Sequence, residues 1–220
     1  MTQPIPIQWL PHWRPEDRLV RTSHYAYQCG GCGQCCRSKV ITVNPYEVAR
    51  LARSQGISTT QFLEQHTSGV ALNRREDDTC VFLGEHGCSV HADRPLVCRL
   101  YPLGRHVSRE GDETFSHVAP HPQTKGHYTE QGTVQSWLDS QGAEPFISAT
   151  SAYLDAFHRL FAKMAEREGG DGVTGWPDAP RESPVDWLDI DAAVGEPQPW
   201  ETVEQRMAAH IRWLDAQEIR

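Results

Sequence analysis

The feature that most constrains this chain is a run of four cysteines within eight residues, Cys29-Gly-Gly-Cys32-Gly-Gln-Cys35-Cys36. Its two successive C-x-x-C steps are the spacing with which one tight turn presents several sulfur atoms to one metal centre. The interleaved glycines tolerate positive φ, so the backbone can fold back over a bound ion. Three more cysteines follow in the sequence. We therefore predict a metal site whose ligands are Cys29, Cys32, Cys35, Cys36, Cys80, Cys88 and Cys98.

The number and expected compartment of the cysteines favour metal binding over disulfides. Seven is an odd number, which is awkward for a framework made only of disulfides. Residues 1–10 show no basic segment followed by an apolar run, so no signal peptide is expected. No stretch approaches the ~18 consecutive apolar residues of a membrane span. We therefore predict a cytoplasmic protein, and thiols stay reduced in the cytoplasm.

The charge of the chain bears on its partners. A formal net charge of −8 argues against a general nucleic-acid binder, which would need a basic face. It argues equally against simple polybasic attraction to an anionic membrane. The expected partners are metal ions, without nucleic acid or membrane, and a protein partner is possible but unspecified.

The composition predicts a fold rich in loops. Only 38% of residues are hydrophobic, and there are 15 prolines and 17 glycines. We predict an α+β fold: a small irregular domain, stabilised by metal, with short strands, a hairpin and several helices, followed by C-terminal helices. The predicted divisions are an extended segment 1–28 anchored by Trp9 and Trp13, a cysteine-cluster domain 29–140, a packing helix 141–168, and a Pro/Gly-rich linker with a C-terminal helix 169–220.

Local signals predict the elements around the first cysteines. Val40–Val43 is a β-branched run typical of a strand. Asn44 suits the N-cap of a following helix, with Pro45 at its first position, Glu47 completing a capping box and Gly56 ending it. Ser58, with Gln61 three residues on, predicts the start of a second short helix.

The later cysteines fall in a predicted hairpin and helix. Residues 79–83 and 88–90 read as paired strands joined by the turn 84–87, which would place Cys80 and Cys88 near each other. Asp93 is the expected cap of a helix that contains Cys98 and ends before Pro102.

Towards the C-terminus the patterns are mostly helical. Residues 105–127 are expected to be loop with one short strand, Glu113–Val118. Helices are predicted at 130–139, from Ile147 up to Gly169, and from Val203 to Leu214. Four histidines without tight ligand spacing are treated as surface residues: His106, His117, His121 and His127.

The number of metal centres stays open. The side chains of adjacent Cys35 and Cys36 diverge, so they indicate either two centres or one ligand and one packed thiol. Two tetrahedral ions need about eight donors, and His91 or His86 could supply the eighth, or one position could be open. Alternatively, four thiolates hold a [4Fe–4S] cluster. All-sulfur ligation suits zinc or iron–sulfur, and several basic residues could offset the thiolate charge: Arg37, Lys39, Arg94, Arg99 and Arg105.

The complete cysteine pattern resembles a known family. The residues that carry the resemblance are the CxxCxxCC run at 29–36, the stretch Thr79-Cys80-Val-Phe-Leu, and Gly87-Cys88-Ser-Val-His91-Ala-Asp-Arg94-Pro95-Leu-Val-Cys98-Arg99-Leu-Tyr101-Pro102. They resemble the YkgJ-type cysteine-cluster family over roughly residues 25–140, and His91 departs from the aromatic residue expected there. The resemblance implies zinc or iron chelation, or an iron–sulfur cluster.

Three functions are compatible with these observations. The first is a metal-binding protein whose cluster holds iron–sulfur, zinc or iron, with the metal essential to folding. The second is a metal-dependent enzyme, since the flagellin lysine methylases look related through a similar cluster, although no methyl-donor loop is found here. The third is a redox-responsive module that releases metal when its thiols oxidise.

Overall fold

A computed structural model of the chain describes residues 18–108, 110–168 and 187–217. The predicted anchors Trp9 and Trp13 and much of the predicted linker, residues 169–186, lie outside these residues. The described helices are α1 (Pro45–Gln55), α2 (Thr59–His66), α3 (Leu96–Leu100), α4 (Val134–Ser140), α5 (Glu144–Glu168), α6 (Ile190–Val194) and α7 (Val203–Asp215). The strands are β1 (Tyr27–Gln28), β2 (Thr67–Ser68), β3 (Ala71–Leu72), β4 (Leu83–Gly84), β5 (Gly87–Cys88), β6 (Leu103–Val107), β7 (Glu113–His117) and β8 (His127–Tyr128).

The strands form four separate antiparallel pairs, β1–β8, β2–β3, β4–β5 and β6–β7. The described strands thus pair only in the antiparallel sense and are accompanied by helices, which confirms the predicted α+β class. In the part of the chain that the structure describes, no helix is long and apolar enough to cross a membrane.

Backbone contacts divide the chain into two compact units. The first consists of Met1–Lys39 and Arg74–Glu144, and the second of Val40–Asn73 and Pro145–Arg220, as far as these ranges are described. All seven cysteines therefore belong to the first unit. The division of the sequence at residues 28, 140 and 168 stays a prediction.

The longest strand pair of the first unit is the β6–β7 hairpin. Leu103 pairs with His117 at one end and Val107 with Glu113 at the other. The strand predicted near 113–118 is confirmed, but the expectation that the chain around residue 105 is loop was wrong. β6 has no strand signal in the sequence because it contains the polar residues Arg105 and His106. Its pairing with β7 is reinforced by an ion pair of 2.6 Å between Arg105 and Glu113.

An aromatic cluster fills the core of the first unit. Tyr25, Tyr27 and Trp137 are buried, and Trp137 Nε1 donates a 3.0 Å hydrogen bond to the carbonyl oxygen of Leu100, which joins α4 to α3. His117 was expected at the surface, and that expectation was wrong. His117 is only 8% exposed, and the centroid of its ring lies 5.5 Å from that of Tyr25. It is buried because its side chain lies on the face of β7 that packs against the aromatic cluster.

The second unit begins with two capped helices that match their predictions. The Asn44 side chain accepts from the Glu47 amide at 3.0 Å, and the Glu47 carboxylate accepts from the Asn44 amide at 2.9 Å. Gly56 ends α1 in the left-handed region with φ 69°. Ser58 and Gln61 form the same reciprocal capping box on α2. These caps satisfy amides that have no partner inside a helix.

Two sequence predictions in the second unit need correction. The segment Val40–Val43 forms only an isolated bridge, Thr42 to Ala71, with flanking backbone hydrogen bonds, rather than a strand. The predicted linker contains the short helix α6, whose N-cap Asp189 accepts from the amide of Ala192 at 3.0 Å. Five residues are too few to produce a helical hydrophobic period in the sequence.

The C-terminal helices of the second unit bury a histidine. α7 packs on α1 and α6, and His210 of α7 is completely buried. The hydroxyl of Tyr153 on α5 lies 3.1 Å from His210 Nδ1, while Nε2 has no hydrogen-bond partner among the described residues. Burial lowers the pKa of His210 to about 4. The negative charge of Asp189 raises this pKa and the positive charge of Arg206 lowers it, but burial has the largest effect.

We predict that His210 makes the protein less stable in acid. The unfolded chain binds a proton on this imidazole near pH 6.5, whereas the folded chain does so only near pH 4. Between these values the unfolded state holds more protons, so the free energy of unfolding falls as pH falls, by about 3 kcal/mol in total. Urea unfolding of the wild type and His210→Gln between pH 7.5 and 4 measures the difference in slope.

The matched control for this experiment is His158→Gln, on the exposed face of α5. It should keep the pH dependence of the wild type, whereas His210→Gln should flatten it. Parallel pH profiles for the wild type and His210→Gln would contradict the prediction.

Candidate metal centre

The cysteine run folds into a tight loop. Gly31 and Gly33 have φ of 63° and 68°, in the left-handed region where glycine is favoured. Gly33 precedes a 3₁₀ turn at Gln34–Cys36, closed by a 3.1 Å hydrogen bond from the Cys36 amide to the Gly33 carbonyl. Two of the three glycines thus act as predicted.

Gly30 serves a different purpose from the one predicted. It does not adopt positive φ; instead, a Cβ atom at this position would lie 2.6 Å from the carbonyl group of Lys125. The loop therefore packs backbone to backbone against the segment around Lys125. The Lys125 amide in turn donates to the sulfur of Cys32 at 3.4 Å.

Backbone pairing also joins the loop to the segment that carries the fifth cysteine. The Cys80 amide donates to the Cys36 carbonyl at 2.9 Å, and the Ser38 amide donates to the Asp78 carbonyl at 3.0 Å. Between them, Arg37 and Thr79 form an isolated bridge. Cys80 is thereby fixed beside Cys36, although 44 residues separate them in the sequence.

The sixth and seventh cysteines occupy the predicted elements, with two corrections. The hairpin is shorter than predicted: Cys88 pairs with Leu83, and Cys80 lies outside the paired strands and bridges Arg74. α3 contains Cys98 and ends at Leu100, as predicted, but its N-cap is Pro95. Asp93 instead belongs to a separate 3₁₀ turn, His91–Asp93, so it is not the cap.

The structure brings the thiols together only in part. All seven cysteines lie in the described part of the chain, and none forms a disulfide. The sulfur atoms of Cys35 and Cys36 lie 3.9 Å apart. Among the described residues, no group of three or more Cys, His, Asp or Glu side chains is arranged to hold a metal ion. The full set of seven ligands therefore stays a prediction.

The electrostatics of the sulfurs nevertheless link the three elements. The pKa of Cys35 is lowered because the Cys36 thiol donates a hydrogen bond to it, and the same hydrogen bond raises the pKa of Cys36. Charges on Cys88 and Cys98 raise the pKa of Cys36 further. Burial raises the pKa of Cys80 and Cys88, and each is raised again by a charge on Cys35. Charges on Cys35 or Cys36 thus interact with thiols of the Cys80–Cys88 segment and α3.

Cys32 differs from the other half-buried thiols because several groups of the protein donate hydrogen bonds to its sulfur. Burial raises its pKa, but hydrogen bonds from the amides of Lys125 and Gln34 and from the Thr124 hydroxyl outweigh this and lower it overall. Cys29 is the most accessible of the seven, being the only one that is exposed rather than half-buried.

Two of the five basic residues expected near the cluster face the thiols. The charge of Lys39 acts on Cys35 and Cys98, and that of Arg94 acts on Cys88, Cys98, Cys29 and Cys35. Lys39 Nζ also lies 3.5 Å from the centroid of the Tyr101 ring.

Other basic residues of that set serve the fold. Arg99 is buried and donates to the carbonyl oxygens of Arg94 at 3.0 Å and Gln141 at 2.8 Å. Arg105 pairs with Glu113 in the β6–β7 hairpin.

The two candidate histidines differ in their surroundings. His91 is exposed, and its Nδ1 lies 3.2 Å from a guanidinium nitrogen of Arg94. Partial burial and the charges of Arg94 and Arg99 lower its pKa. His86 is exposed in the turn between β4 and β5. Ligation by either histidine stays a prediction.

Thr124 is a site residue that sequence reasoning missed. Its Oγ1 lies 3.9 Å from Cys32 Sγ and 3.1 Å from the hydroxyl of Tyr27. A lone threonine 92 residues from Cys32 carries no sequence signal for this contact. The only available clue is the pair of glycines, Gly30 and Gly126, that allow close approach on both sides of the contact.

We predict that Gly30→Ala weakens metal binding more than Gly31→Ala. The new Cβ at Gly30 would lie 2.6 Å from the Lys125 backbone, so the loop must move away from Thr124 and Lys125. At Gly31 the added Cβ meets nothing within 4 Å, and the cost is only the strain of positive φ, about 1–2 kcal/mol. Competition with a chromophoric chelator measures both affinities, with at least a tenfold loss expected for Gly30→Ala. Equal affinities of the two variants would contradict the prediction.

Comparison with known proteins gives one match. Residues 28–121, less than half of the chain, match the family model "CxxCxxCC: Putative zinc- or iron-chelating domain". Neither the curated proteins nor the solved structures give a significant match. The matched range contains all seven cysteines, the Cys35–Cys36 contact and the hairpin–α3 segment. The predicted resemblance to a CxxCxxCC cysteine-cluster family is thus confirmed for residues 28–121 of this chain.

Proposed function

We propose that this chain is a metal-binding protein whose cysteine cluster chelates zinc, iron or an iron–sulfur cluster. The observation that carries the proposal is that three cysteine-bearing elements lie in one compact unit, and that the first two of them pair through the backbone: the Cys29–Cys36 loop, the Cys80–Cys88 segment and α3. They belong to one compact unit, and the Cys80–Cys36 backbone hydrogen bond of 2.9 Å fixes the first two against each other.

The donor set fits such a metal. Thiolates are soft ligands that select zinc and iron–sulfur over calcium or magnesium. In this proposal the three elements supply the seven thiolates Cys29, Cys32, Cys35, Cys36, Cys80, Cys88 and Cys98. A cysteine side chain has a single rotatable bond to its sulfur, and changing its rotamer moves that sulfur by about 3 Å.

Charge balance supports the same proposal. Several thiolates in one site repel each other, and the pKa values of Cys36, Cys80 and Cys88 are raised partly for this reason. Lys39 and Arg94 supply positive charge to the same thiols. A divalent or trivalent cation would supply more, since thiolate ligands lose their protons when they bind metal.

The proposal extends to the protein's surroundings. Seven free thiols in one unit suit a reducing compartment, which supports a cytoplasmic location. The alternatives of a metal-dependent enzyme and of a redox-responsive module stay hypotheses. The 3.9 Å contact between the sulfur atoms of Cys35 and Cys36 is compatible with the redox-responsive module.

We predict that the protein isolated without oxygen contains zinc or iron. Elemental analysis gives the identity and stoichiometry, and a visible spectrum distinguishes an iron–sulfur cluster, which absorbs strongly, from colourless zinc. Cys35→Ser should lose at least tenfold in metal affinity, because it removes a proposed thiolate ligand whose sulfur lies 3.9 Å from that of Cys36. A stoichiometry of two would favour separate centres for Cys35 and Cys36.

The control for this substitution is Val97→Ala, next to Cys98 on α3 and 45% exposed. It should leave the metal content unchanged. Protein that carries no metal, and that binds none when zinc or ferrous iron is added after anaerobic reduction, would refute the proposed function.

A further inference from the structure

The segment His121–Gly126, called here the 121–126 loop, contacts the sulfur of Cys32. The Lys125 amide lies 3.4 Å from Cys32 Sγ, and Thr124 Oγ1 lies 3.9 Å from the same sulfur. Only His121 of this loop falls within the range 28–121 that matches the cysteine-cluster family. The contact with Cys32 is therefore made by residues beyond the matched range.

The hydrogen bonds at Thr124 leave its proton two places to point. A threonine hydroxyl has one proton and two acceptor positions. The Gly126 amide, which can only donate, takes one acceptor position at 3.1 Å, and the Tyr27 hydroxyl lies at 3.1 Å in a contact where either oxygen can donate. A thiolate on Cys32 is the stronger acceptor for the Thr124 proton, and with the proton on that side the Tyr27 hydroxyl donates to Thr124.

Contacts within and around the loop hold this geometry in place. The Thr124 amide donates to the His121 carbonyl at 2.8 Å, and the His121 amide donates to the Tyr101 hydroxyl at 2.6 Å. A Cβ atom on Gly126 would lie 2.1 Å from the hydroxyl oxygen of Tyr27. The β1–β8 pair follows directly, with Tyr27 opposite Tyr128.

We propose that Thr124 is a positioning residue for Cys32 in the metal centre. Its hydroxyl and the Lys125 amide hold the Cys32 sulfur in one rotamer and withdraw electron density from its thiolate. This inference rests on the proposed function, because it assigns a role in tuning a metal ligand. Groups that hydrogen-bond a ligand from outside the coordination shell typically change metal affinity by 10–100-fold when removed.

The test uses cobalt(II) added to the metal-free, reduced full-length protein. Cobalt(II) bound to thiolate has a charge-transfer absorption whose energy falls as the sulfur becomes richer in electrons. Thr124→Val keeps the shape of the side chain but removes the hydroxyl. We expect it to bind cobalt at least tenfold more weakly and to shift the charge-transfer band to longer wavelength.

Two further variants keep the test decisive. Thr124→Ser retains the hydroxyl and should restore both the affinity and the band position of the wild type. Thr124→Ala only removes atoms, so it replaces Thr124→Val if valine prevents folding, and the same losses are expected. Thr129→Val, a matched substitution after β8, should change neither quantity.

The outcomes distinguish a failure of this inference from a failure of the proposed metal-binding function. An unchanged band and affinity in both Thr124→Val and Thr124→Ala would overturn the inference. Equal losses in Thr124→Ser and Thr124→Val would also overturn it, because the methyl group would then be responsible. A wild type that binds no cobalt overturns it as well. The proposed function is decided separately, by the metal content of the anaerobically isolated protein.

Discussion

The hydrogen bond from the Cys80 amide to the Cys36 carbonyl is the interaction on which the candidate centre depends. With its neighbours Arg37–Thr79 and Ser38–Asp78, it makes the cysteine loop one side of a short strand-like pairing. A pairing that closes about 40 residues costs several kcal/mol of chain entropy, so it needs support from elsewhere. The buried side chain of Thr79 lies within this pairing, and metal–thiolate bonds would strengthen it.

Electrostatic repulsion between thiolates is the second constraint on the candidate metal centre. Thiolates from three elements cannot approach one another without positive charge, and Lys39 and Arg94 supply only part of it. The protein compensates differently at each sulfur: Cys35 is stabilised by the Cys36 thiol, and Cys32 by donors from the 121–126 loop. This difference suggests that the ligands of a bound metal would not be equivalent. Function in such a centre depends on the second layer of groups as much as on the sulfurs.

Local chemistry explains which features could be predicted from the sequence. The start of α1 was predictable because the Asn44 and Glu47 side chains accept from amides only three residues away, and Pro45 follows Asn44 directly. β6 and the burial of His117 were missed because both depend on pairing with a distant strand. Asp93 was predicted to be a cap, but the N-cap of α3 is Pro95, and Asp93 ends a separate 3₁₀ turn. The cysteines of the site were recognisable by their spacing, whereas the Thr124 contact spans 92 residues and left no pattern.

The most direct test of the account is X-ray absorption at the edge of the metal found in the anaerobically isolated protein. We expect a first shell made mainly of sulfur, with about four sulfurs at about 2.3 Å from each metal. Such a shell would show that cysteine thiolates of this chain bind the metal. A first shell dominated by nitrogen or oxygen at about 2.0–2.2 Å would contradict the account.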